Sequence, residues 1–186
     1  MPGLTDQAGG TVERAHQAWQ ESMLRQVEEL RATVQGYAPA QLAARCGAAL
    51  AGGAMHLRYW GREIEIAWPA LTMSAQADGS PLSVFDTATV LYYLYHADGT
   101  PLADRWVSYR ELPGGGFYHQ AFQGYSGDRL ARAYASQPEA FHSAAHSLDG
   151  MLLSGLPGIA YAFLPLPHIR LAAILYPGDD EFPTAA

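Results

Sequence analysis

The chain has 186 residues, 49% hydrophobic and 16% charged, a globular balance that excludes disorder over the whole length and fits one domain with a sizeable core. Its net charge of −7 and sequence pI of about 5.4 disfavour nucleic acid and anionic membrane surfaces, because binding to either draws on neutralised phosphates. All basic residues are arginine, which removes Schiff-base chemistry, a catalytic lysine and the phosphate-gripping lysine of nucleotide loops.

In chain order, residues 1–10 form a Gly-containing polar leader without the basic and apolar regions of a secretory signal. From Thr11, a possible N-cap, Val12, Trp19, Met23, Val27, Leu30 and Val34 keep helical spacing, which predicts a helix over 11–35 stopped at Gly36. Pro39 opens a second, short helix through Cys46, ended by Gly47. Cys46 is the single cysteine, so no internal disulfide forms; its small apolar neighbours predict a buried, inert thiol.

The period then changes to two. Met55, Leu57 and Tyr59 alternate with His56, Arg58 and Trp60, and Ile64, Ile66 and Trp68 with Glu63 and Glu65, which predicts a hairpin around Gly61 closed by Pro69. "SPLSVFDTATVLYYLYHADG" reads as a helix with Pro81 near its first turn. "RWVSYREL" reads as a strand with Trp106, Ser108 and Arg110 on one face and Val107, Tyr109 and Glu111 on the other. The glycines of "ELPGGGFYHQ" could bring backbone N–H groups close to an anion, but no Gly-Lys-Ser/Thr follows, so a turn between extended segments is expected. Helices are expected at 127–136 and 138–148, then two strands in "GIAYAFL" and "HIRLAAILYP" joined at "PLP". Met151 to Pro167 is uncharged but broken by Pro157, Pro165 and Pro167, and shorter than the ~20 apolar residues of a spanning helix. The expected fold is therefore α+β, a mainly antiparallel sheet packed on helices in a single domain over 11–186, in a cytoplasmic protein.

Three constellations could carry function. His142 and His146 sit four apart on one helix face, a spacing zinc ligands use, with Glu139 or Asp149 to complete a site; an ordinary helical pair is the expected reading and no convergence on a metal is expected, while a metal-dependent enzyme using this pair with a carboxylate is the runner-up function to a non-enzymatic binding module. Aromatic residues cluster from Tyr92 to Tyr125, and with Arg105 and Arg110 nearby they could stack a planar ligand and pair its carboxylates. The expected ligand-binding set is Trp106, Tyr109, Arg110, Tyr118 and Phe122, with Arg110 partly buried and paired to a carboxylate. Asp179, Asp180 and Glu181 follow the Pro177-Gly178 turn; they read first as a solvated turn, second as part of a binding surface, and last as a metal site. No Ser-His-acid set stands out, and Ser126 lacks the nucleophile-elbow spacing.

At "VLYYLYHADGTPLADRWVSYRELPGGGFYHQAF" and "AFLPLPHIRLAAILYPGDDEFPTAA" the chain resembles the domain-of-unknown-function family numbered three-seven-eight-six, of bacteria and archaea, many of them anaerobes. The matching stretches are Leu91 to Leu94, Gly99 to Leu102, Trp106 to Leu112, Gly114 to Phe122 and Gly178 to Pro183, and the resemblance extends loosely over residues 11–186. It brings a fold family and no catalytic residues or cofactor. Some relatives add an N-terminal four-cysteine iron–sulfur domain of the kind seen in corrinoid one-carbon proteins; this sequence shows none, which puts a direct redox role in doubt. Relatives continue past the Phe-Pro, so the resemblance implies a C-terminal truncation. The leading expectation is a non-enzymatic accessory module for a planar anionic small molecule or a redox or corrinoid partner protein, with a scaffold or interaction domain as the blander alternative. Oligomeric state stays open.

Overall fold

The computed structural model describes residues 21–103, 105–178 and 183–186. The expected helix start at Thr11, Trp19 in that helix, and the acidic run Asp179, Asp180 and Glu181 lie outside these residues. The fold class is α+β: helices accompany two antiparallel sheets. Among the described residues no helix is long and apolar enough to cross a membrane.

The described residues fold as two compact units, the first comprising those up to Leu57 with Arg62–Thr100, the second Arg58–Gly61 with those from Pro101 onward. In the first, helix α1 (described over 21–35) buries Val27 and Val34, as its spacing requires. Helix α2, Pro39–Cys46, ends where Gly47 takes φ 68°, a left-handed cap that glycine adopts without strain. Strands β1 (Ala49–Ala51), β2 (Ala54–Tyr59), β3 (Arg62–Ala67) and β4 (Thr72–Ala75) form an antiparallel meander in chain order. The β2–β3 hairpin turns at Trp60 (φ 48°) and Gly61 (φ 75°), positive at both centres as a type I′ turn demands. Met55, Leu57, Ile64 and Ile66 are buried on one face, as the alternation predicts.

Helix α3 begins later than expected, at Val84, and runs to His96. Ser83 is its N-cap: Ser83 Oγ accepts the Asp86 N–H at 3.1 Å, while Pro81 stands outside and bridges to Ser74. Replacing Ser83 with Ala is expected to cost about 1 kcal/mol in a denaturant titration, because the Asp86 amide loses that acceptor. The buried Tyr93 hydroxyl donates to the Cys46 carbonyl at 2.7 Å, tying α3 to α2. Cys46 is buried as expected, and that burial raises its thiol pKa above the ordinary value, against smaller opposing backbone hydrogen bonds, which disfavours the thiolate.

The second unit corrects two expectations. Residues 106–111 are no strand: Tyr109–Glu111 is a single 3-10 turn. Ser108-Tyr109-Arg110-Glu111 carries the capping-box pattern, and the Glu111 carboxylate accepts the Ser108 N–H at 2.6 Å, a local signal that competes with the alternation. The triple glycine is no turn between extended segments either. Gly114 (φ 75°) opens helix α4, Gly115–Tyr125, whose Phe117, Ala121 and Tyr125 repeat at helical spacing. Helices α5 (Gly127–Tyr134) and α6 (Pro138–Ser147) follow near their expected bounds. Strands β5 (Met151–Leu152), β6 (Ile159–Leu166) and β7 (Ile169–Leu175) make a second antiparallel sheet in that order. The single expected sheet is thus two, and the 106–111 segment expected as one of its strands belongs to neither. Phe141, Ala145, Tyr161, Phe163 and Leu175 form this unit's core, with Trp60 packed against Phe163 at 6.0 Å between centroids.

Candidate functional site

The aromatic set forms around the 3-10 turn and α4. Helix α4 can lie close to Tyr109 because Gly115 has no side chain; a Cβ there would overlap the Tyr109 carbonyl oxygen. That closeness lets the Tyr109 and Phe122 rings stack with centroids 3.9 Å apart and planes 1° from parallel. Tyr125 meets Phe122 edge-on at 5.9 Å, and Tyr118 meets Phe117 edge-on at 4.9 Å.

Trp106 is exposed and is engaged from the last strand: the Arg170 guanidinium lies 4.8 Å from its ring centroid. Such a cation over an indole contributes about 0.5–1 kcal/mol when exposed. The Glu111 carboxylate sits below its ordinary pKa, held first by the Ser108 backbone N–H, so it is ionised at neutral pH.

The structure brings Tyr109 and Phe122 together as one stack and leaves Trp106 with Arg170. Arg110 is a correction. It is exposed, and the described residues give it no ion pair, because a 3-10 turn on the surface leaves the guanidinium in water where a strand centre would have enclosed it. Arg170 escaped the sequence reading, although it is the one charge in the apolar run "HIRLAAIL".

The histidine pair is also placed. Tyr161 Oη lies 2.7 Å from His142 Nδ1 and 3.3 Å from His146 Nε2. A phenol has one proton, so it donates to one imidazole and accepts from the other. Tyr161 is 1% exposed, and a tyrosine that deep must satisfy its hydroxyl; that rule was the available signal in "GIAYAFL". Asp149, the other carboxylate expected at this site, pairs instead with Arg58 at 2.6 Å. Among the described residues no group of three or more His, Cys, Asp or Glu side chains is placed to hold a metal ion.

A family model described as a domain of unknown function, DUF3786, matches residues 38–186. No curated protein and no solved structure matches the chain.

Proposed function

The chain belongs to the DUF3786 family, and from that premise we propose that it is a non-enzymatic cytoplasmic binding module that takes a planar, anionic ligand on the surface of Trp106, Tyr109, Arg110, Tyr118 and Phe122. The observation that carries this reading is a set of exposed and half-buried aromatic rings beside guanidinium groups that form no ion pair among the described residues. The Tyr109–Phe122 stack offers a π surface, and the exposed Trp106 stands under Arg170. A planar anion stacks on such rings while its carboxylate or sulfonate meets a guanidinium. A redox or corrinoid partner protein is the second occupant of the same surface, favoured by the openness of Tyr118, which is 57% exposed.

The test is a fluorescence titration with anilinonaphthalene sulfonate, which carries a flat naphthalene ring and an anionic sulfonate. Saturable binding is expected. Arg170→Ala weakens it several-fold, in line with about 1 kcal/mol for an exposed cation–aromatic contact. Arg110→Ala also weakens it, while Arg129→Ala, on α5, leaves it unchanged. Equal effects of all three substitutions would remove the support for this reading.

A further inference from the structure

Helix α4 turns its apolar side outward. The side facing the protein carries Gly115 beneath Tyr109, Phe122 stacked on Tyr109, and Gln123, whose amide donates to the Ala186 carbonyl. The solvent side carries Phe117, Ala121 and Tyr125 at i, i+4 and i+8, and Phe117 is 85% and Tyr125 60% exposed. A surface helix ordinarily does the reverse. From Leu112 through Gly127 there is also no Asp, Glu or Arg, in a chain whose net charge is −7.

We propose that this stripe binds the same stripe of a second copy of the chain, the two α4 helices running antiparallel about a twofold axis at Ala121. Two features select this occupant. The order aromatic, small, aromatic is symmetric about Ala121, so an antiparallel pair sets Phe117 of each copy beside Tyr125 of the other, as an isologous contact requires. Ala121 at the crossing, with Gly124 beside it and open space where its Cβ would be, lets the two helices approach closely. Charge is the second feature. Two acidic copies repel, and they close without burying unpaired charge only through a face that has none. An oppositely charged partner would find no ion-pair contact on this stripe. The inference goes beyond the ligand reading, and the two tests read different substitutions: dye titration reads Arg110 and Arg170, sedimentation reads Ala121.

Sedimentation velocity of the full chain over a concentration series tests it. The parent protein sediments as a dimer. Ala121→Arg and Ala121→Glu, both at an exposed helix position and checked by circular dichroism for an intact fold, each raise the dimer dissociation constant about a hundredfold, because like charges then meet at the axis. An equimolar mixture of the two variants regains the dimer, as opposite charges face each other. A parent chain that is monomeric at every concentration overturns the proposal. So does an Ala121→Arg variant that stays dimeric, which would put the interface elsewhere. A mixture that stays monomeric removes Ala121 from the twofold and overturns the antiparallel arrangement.

Discussion

Tyr161→Ala is expected to lower stability by about 3–5 kcal/mol, the range for removing a buried aromatic side chain. The ring touches Phe141 edge-on at 5.8 Å and Phe163 at 6.5 Å, so its removal leaves a cavity at the centre of the second unit's core. Its hydroxyl adds a separate contribution. Tyr161→Phe keeps the ring and strips both imidazoles of their shared partner, which should cost about 1 kcal/mol, because His142 is half-buried and His146 exposed, so water replaces part of the loss. Urea denaturation of parent, Phe and Ala variants separates the two terms. A Phe variant as stable as the parent would mean the phenol contributes nothing through the histidines.

Gly115→Ala should be destabilising where a helical Gly→Ala change is ordinarily favourable by up to about 1 kcal/mol. The added methyl overlaps the Tyr109 carbonyl, a backbone atom that cannot swing aside. The 3-10 turn must move off α4, at the cost of about 1–3 kcal/mol typical of overpacking. That movement also parts Tyr109 from Phe122, so dye binding should fall with stability. Gly116→Ala is the matched control: nothing lies within 4 Å of a Cβ there, and the usual gain is expected. Comparing denaturation midpoints of the two neighbours decides the matter, and equal shifts in the same direction would refute the close approach of turn and helix.

Much of the stretch from Pro39 to Ala67 was legible in the sequence. Helix α2 with its Gly47 stop, the hairpin around Gly61, and the buried faces of β2 and β3 depend on local signals: a proline at a helix start, a left-handed glycine, and strict alternation of apolar and polar side chains. The lower bound of α3 was missed by a few residues because Pro81 and Ser83 both mark helix starts, and only the Ser83–Asp86 bond decides between them.

The candidate site was legible in its residue types and not in its arrangement. By itself the sequence determined that aromatic residues and arginines crowd the stretch from Trp106 to Tyr125, that His142 and His146 share a helix face, and that the chain belongs with an α+β family. The tertiary structure alone decided that Tyr109 stacks on Phe122, that Arg170 and not Arg110 attends Trp106, and that Tyr161 stands between the two histidines. The reason is one of range. Alternation in "RWVSYREL" and the capping box inside it are both local signals of comparable strength, and packing against α4 through the bare backbone of Gly115 selects between them. Arg170 lies far from Trp106 along the chain and Tyr161 far from His142, and no short-range periodicity encodes which strand returns beside which turn.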